Sequence, residues 1–194
     1  MQGIRWTGTV ALVVVVATVA GCAKRNDTQF STKDHECMSR AMYFESNRSS
    51  RDGMVAVGSV VMNRVASDDF PNNVCGVVGQ RGQFAPGVMS KKMTEEASVA
   101  RVSEAAAAVL SGERHPHTGN ARFFHALYYR ANYDNMHYVA SAGGNAFYEK
   151  RHPSAVTQPT PVANREGVTG GGETVFAMDA PRQRRGLLGR MFGR

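Results

Sequence analysis

Glu45 closes the stretch HECMSRAMYFES, residues 35–46, four residues beyond Ala41 and eight beyond Cys37. On a helix that spacing stacks the three side chains on one face, so the acid shares the side that carries apolar residues. Glutamate ordinarily takes the opposite face. Burial beside Tyr43 and Phe44 disfavours the charged form and keeps the carboxyl protonated nearer to neutral pH. A protonated carboxyl is the group that hands a proton to a leaving oxygen. The competing role is a cap, or an ion pair with Arg48 or Arg51, and residue types alone leave both readings open.

Other chemistry-bearing residues are less pointed. The six histidines, at 35, 115, 117, 125, 137 and 152, have no tight ligand spacing. His115-Pro116-His117 reads as a solvated turn. His125 and His137 are flanked by aromatics, and each either lines a cleft or is a hydrogen-bonded structural residue. No GxSxG elbow, phosphate loop, HExxH or dinucleotide fingerprint is present. The three cysteines, Cys22, Cys37 and Cys75, are too far apart in sequence for a CxxC metal array, so neither a metal nor a cofactor is expected.

The N-terminus constrains those cysteines further. Residues 1–22 read as an export signal: Arg5, then the apolar run VALVVVVATVA, too short to span a bilayer, then Val19-Ala20-Gly21-Cys22. That last block resembles the bacterial lipoprotein signal, in which the cysteine is acylated and anchors the chain to a membrane, here the outer membrane. The alternative is plain signal cleavage. With Cys22 lipidated, Cys37 and Cys75 remain as a pair in an oxidising periplasm, where a disulfide is the expected state. The net charge of +7 would suggest nucleic acid in a cytosolic chain; behind an export signal the anionic partners are envelope polymers and lipid head groups instead.

Few elements are needed to position these residues. After a polar tether, 23–33, Asp34 is the expected cap of a first helix ending at Glu45. A second helix, 52–65, is apolar on nearly all sides, with Asp52 as its cap. The segment VCGVVGQ is either a helical turn or a strand. Residues 79–92, rich in glycine and polar side chains, form a loop. Thr94 is the expected cap of a third long helix that stops at Gly112. The segment ARFFHALYY reads as a strand, and HYVASAGGNAFYEK as a hairpin turning at Gly143-Gly144-Asn145. Together these predict a mostly helical α+β domain over residues 34–152. A disordered linker, 153–181, follows, and then a basic tail, 182–194, that reads either as a short amphipathic helix suited to an anionic membrane surface or as a solvated tail.

The ordered blocks YFES, GMVAVGSVVMNRV, FPNNVCGVVGQRGQFAP, FFHA and NAFY resemble the SleB-type cell wall hydrolase family over residues 36–149. The resemblance implies a lysozyme-like α+β fold and cleavage of peptidoglycan glycan strands between N-acetylmuramic acid and N-acetylglucosamine. It places the family's catalytic glutamate on Glu45 and its paired cysteines on Cys37 and Cys75. By the same resemblance Gln83 and Phe84 are candidates for a sugar-facing wall, with Phe84 as a core anchor the alternative, and His125 and Tyr148 are candidate hydrogen-bonding residues. One departure matters. The family continues its glutamate as E-A-R-G-E, whereas here Ser49 stands in place of the second acid. A lone carboxylate suits a lytic transglycosylase, in which the substrate supplies its own nucleophile. A zinc-dependent muramoyl-peptide amidase and a non-catalytic wall-binding lipoprotein are the alternatives.

Overall fold

Ser31 starts the first helix in the computed structural model, which describes residues 30–46, 48 and 50–162. Helix α1 spans Thr32–Glu45. The Ser31 hydroxyl accepts the Asp34 N–H at 3.1 Å, and the Asp34 carboxylate accepts the Ser31 N–H at 3.1 Å. Asp34 is therefore the third residue of a capping box and not the cap expected of it. The helix buries Cys37, Met38, Ala41 and Met42.

Helix α2, Arg51–Val65, is capped by Ser50, whose hydroxyl accepts the Gly53 N–H. Asp52 is not the cap; it turns inward within the first helical turn and faces His115 at 3.2 Å. His115 is 2% exposed, so the expected solvated turn at 115–117 is a buried polar anchor. Its backbone N–H donates to Ser59 Oγ at 2.8 Å, and its Nδ1 accepts the His117 N–H. The remainder of α2 is buried on almost every side, as its composition predicts.

Helix α3, Val74–Val78, resolves the ambiguous VCGVVGQ segment as one short helix capped by Asn73. It carries Cys75, which is disulfide-bonded to Cys37 across a separation of 38 residues. Helix α4, Glu96–Leu110, lacks the expected Thr94 cap. Instead the Tyr43 hydroxyl on α1 accepts the N–H groups of Thr94 and Glu95 at 3.2 and 3.3 Å, a tertiary substitute for a side-chain cap.

The three strands β1 (Phe123–Ala126), β2 (Met136–Ala142) and β3 (Asn145–Lys150) form an antiparallel sheet in the order β1-β3-β2. Gly143 and Gly144 both take positive φ, 54° and 83°, which the tight β2–β3 turn requires. That turn lies directly on the start of α2: a Cβ built on Gly53 would fall 2.4 Å from the Gly143 Cα. Two glycines thus bring the hairpin to the junction between α1 and α2.

The main core gathers α1–α4 around Met38, Met42, Val57, Val61 and Val109, with Phe147 contributed by the sheet. On the sheet's other face, Met136, Tyr138 and Ala146 form a second cluster with Leu127, Ala131 and Val162. The chain past Lys150 is more ordered than its composition suggests. Pro153–Ala155 makes a 3-10 turn, and the Gln158 carbonyl accepts the Tyr138 N–H at 2.9 Å. The expected linker therefore does not begin at residue 153. Its remainder, the basic tail, the signal, Cys22 and most of the tether lie outside the described residues.

Candidate active site

Glu45 is the last residue of α1 and is half-buried. Its carboxylate accepts the backbone N–H of Ala85, and its carbonyl accepts the side-chain amide of Asn145 at 2.6 Å. The acid is thus gripped from the 79–92 loop on one side and from the hairpin on the other. The loop is itself pinned. Phe84 and Val88 are buried, and Arg40 on α1 donates from Nε to the Val88 carbonyl at 2.6 Å.

The cap and ion-pair alternatives for Glu45 do not survive. Arg48 pairs with Glu95, and Arg51 forms a two-pronged bridge to Glu113 with both contacts at 2.8 Å. The cation that Glu45 does feel is Arg64, near the end of α2. Arg64 is 3% exposed, and its guanidinium carbon lies 5.2, 5.3 and 5.9 Å from the ring centroids of Phe70, Phe84 and Phe123. Its Nε donates to the Arg122 carbonyl at 2.7 Å, while Nη1 finds no hydrogen-bond partner among the described residues. An aromatic box holds this cation by cation–π attraction and keeps water away from it.

Two opposing influences act on Glu45. Burial pushes its carboxyl above the usual range, while the Ala85 N–H and the Arg64 charge pull it back. Burial also pulls Arg64 down, to about 10, which leaves it charged at neutral pH. The result is a carboxyl that gains a proton more readily than an exposed one, beside a fixed cation that steadies its conjugate base. Such a pair can donate a proton and then accept one.

The remaining expected site residues divide. Gln83 is exposed on the loop two residues before Ala85. Phe84 is only 8% exposed, with its ring edge-on to Phe124 at 6.2 Å and against Arg64. It therefore anchors the loop and does not present its face as a sugar wall. Tyr148 is half-buried, stacked on Phe123 at 5.5 Å, and interacts electrostatically with Arg64. The His125 Nδ1 lies 2.9 Å from the Ala126 carbonyl and its Nε2 lies 2.7 Å from the Tyr138 hydroxyl. His125 is a hydrogen-bonded member of the outer sheet face. Tyr43, expected to desolvate Glu45, directs its hydroxyl to the start of α4 instead.

Arg64, Asn145 and the Ala85 N–H are the parts of the site that residue spacing did not single out. For Arg64 a signal existed: it is a charge at the helical spacing of Val57, Val60 and Val61, all fully buried. A cleft of about 480 Å³ lined by Asn63, Ser67, Arg122, Glu149 and Lys150 excludes Glu45. Lys150, which lines that cleft, holds its Nζ 4.4 Å from the Phe123 ring centroid, and Arg64 lies against the same ring.

Residues 48–148, just over half of the chain, match the family described as Cell Wall Hydrolase. The chain is 42% identical over 55 residues to a spore cortex-lytic enzyme of Bacillus cereus, covering 28% of this chain and 21% of that protein. It is 39% identical over 49 residues to the spore cortex-lytic enzyme of Bacillus subtilis, covering 25% of this chain and 16% of that protein. It therefore spans about a fifth or less of the curated relatives it matches. Among solved structures, the catalytic domain of the germination-specific lytic transglycosylase SleB from Bacillus anthracis superposes with a TM-score of 0.50 at 29% identity, over 63% of this chain and 98% of that one. The catalytic domain of Bacillus cereus SleB gives a TM-score of 0.51 at 28% identity, over 63% and 94% of the two chains. With the profile match running from just after α1 into β3, the chain belongs to the cell wall hydrolase family.

Proposed function

We propose that this chain is a lytic transglycosylase that cuts peptidoglycan glycan strands at the bond between N-acetylmuramic acid and N-acetylglucosamine, with Glu45 as its acid and base. The observation that carries the reading is the setting of Glu45: a half-buried carboxyl with its proton affinity raised by burial, fixed by the Ala85 N–H and within the field of the buried cation Arg64. Two carboxylates are the ordinary requirement for glycoside hydrolysis. One suffices when the sugar supplies the nucleophile. Glu45 protonates the bridging oxygen as the bond to C1 of the muramic acid breaks. Its C6 hydroxyl then attacks C1 and returns a proton to the Glu45 carboxylate, leaving a 1,6-anhydro end. Arg64 steadies the carboxylate between the two transfers. The solved relative described as a lytic transglycosylase supports this choice of product.

Digestion of purified peptidoglycan, with products read by mass spectrometry, tests it. Anhydro ends are expected, and Glu45→Gln, which keeps shape and loses the proton, abolishes them. Reducing ends would make the protein a muramidase. Free peptides lost on chelation would make it an amidase, and no products at all a wall-binding protein.

The location belongs to the same proposal. Lipid attachment at Cys22 places the domain in the periplasm on a membrane anchor, with the basic tail, 182–194, against anionic lipid; the support is the signal-like sequence and the excess of cations. Cys22→Ala abolishes labelling by radioactive palmitate if this is right, and unchanged labelling removes the anchor from the account.

A further inference from the structure

Tyr128, Tyr129 and Tyr133 are 88%, 52% and 71% exposed, three phenol rings in six residues of the loop that joins β1 to β2. The loop is not loose. Its Leu127 and Ala131 turn inward onto Met136, Tyr138 and Ala146, which holds the tyrosines outward. Large aromatic rings held in water mark a surface with a partner. Met89 is the other large apolar side chain exposed among the described residues.

A run of ring contacts links Tyr129 to the aromatic box around Arg64. Tyr129 meets the His125 ring edge-on at 5.4 Å, and His125 lies 5.8 Å from Tyr148. Tyr148 stacks on Phe123 at 5.5 Å, and Phe123 forms one wall of the box around Arg64, the cation that Glu45 feels.

We propose that Tyr128, Tyr129 and Tyr133 form an extended subsite that stacks against successive sugar rings of the glycan strand whose bond Glu45 cleaves. The inference rests on the function proposed above. The occupant follows from chemistry as well as position. Pyranose rings present flat C–H faces to a phenol ring, while their hydroxyls and N-acetyl groups bond to its O–H, so tyrosine serves both halves of the sugar. A planar ring with two rotatable bonds gives this contact at low entropic cost.

The test separates binding from cleavage. In the full chain carrying Glu45→Gln, co-sedimentation with insoluble sacculi reports binding without turnover. Adding Tyr128→Ala and Tyr133→Ala weakens it about tenfold, the effect of one or two lost ring contacts. In the chain with Glu45 intact, the same pair raises KM for sacculi about tenfold while kcat moves less than twofold. Tyr128→Phe with Tyr133→Phe, which keeps the rings, restores most of the binding, and a loss from misfolding would not respond that way. Equal sedimentation with and without the tyrosines overturns the proposal. So does a loss of binding to anionic phospholipid vesicles in place of sacculi, which would make the surface a membrane contact. If the Glu45→Gln chain still cleaves, the catalytic assignment fails while the sedimentation result still judges the tyrosines.

Discussion

The Asn145 side-chain amide donates a 2.6 Å hydrogen bond to the carbonyl of Glu45, across 100 residues of sequence. This bond joins the first residue of β3 to the last residue of α1. It occupies one of the carbonyls that a helix end leaves without an internal partner. The Gly53–Gly143 contact lies beside it, so the hairpin meets the acid-bearing helix through backbone and not through long side chains.

Asn145→Ala should therefore cost about 1–2 kcal/mol in urea unfolding, because the amide is buried and its partner carbonyl is left unpaired. Under the proposed mechanism catalysis should suffer more than stability: a carboxyl displaced by a fraction of an ångström loses alignment with the bond it would protonate. A fall in kcat with KM little changed is the expected signature. Full kcat retained alongside the loss of stability would leave Asn145 as a fold residue only.

The pH dependence follows from the opposed influences on Glu45. The acid must be protonated, so the alkaline limb of kcat/KM tracks its titration and lies above the usual carboxylate range, since burial raises it. Arg64 lowers it, so Arg64→Met moves that limb to higher pH and cuts kcat by about tenfold or more, the conjugate base having lost its counter-charge. Stability has a defined sign as well. A carboxyl raised on folding contributes stability below its unfolded value, and that contribution is lost as pH climbs through the folded value. Glu45→Gln should accordingly unfold at higher urea than the parent at pH 7.5, with the gap closing near pH 4. A gap that widens on acidification would contradict the cause assigned to the shift.

The Cys37–Cys75 bridge closes 38 residues and joins α1 to α3, on either side of the junction that positions Glu45. By the chain-entropy estimate such a loop is worth about 4 kcal/mol. Replacing both cysteines by alanine should lower stability by about that amount, and a reductant should act on the parent but not on the variant. A reductant that leaves the parent's urea midpoint unmoved would show the bridge to be absent in solution.

How much was legible depended on the range of the interaction. The burial of Cys37 and Ala41, the nearly all-round burial of α2 and the glycine turn of the hairpin follow from local periodicity and backbone sterics, and sequence reading found them. The helix starts misled it for a physical reason: acids are favoured throughout a first turn, so Asp34 and Asp52 resemble caps that Ser31 and Ser50 provide. Thr94 misled it because the role passed to Tyr43, 51 residues away. The Ala85 N–H that grips Glu45 has no signature in sequence, since every residue but proline offers one. Tyrosines held outward by Leu127 and Ala131 are likewise visible only once the sheet's outer cluster is assembled.

The Asp52–His115 contact was invisible in the same way, and it makes the sharpest stability prediction. Both side chains are almost wholly buried, 3.2 Å apart, joining the start of α2 to the loop after α4. Removing one member leaves the other's polar atom in a poorly solvated site, at a cost of about 1–3 kcal/mol. Asp52 also lies in the first turn of α2, where the helix dipole favours its charge, so His115→Ala should cost less than an isolated buried carboxylate would. Changing both, Asp52→Asn with His115→Gln, removes the charge and keeps hydrogen-bonding capacity. Its effect should fall short of the two single changes summed by about 1 kcal/mol or more. Strict additivity in urea unfolding would mean that the two side chains are neighbours without being partners. The start of α2 would then depend on the Ser50 cap, the glycine contact and the Arg51–Glu113 bridge.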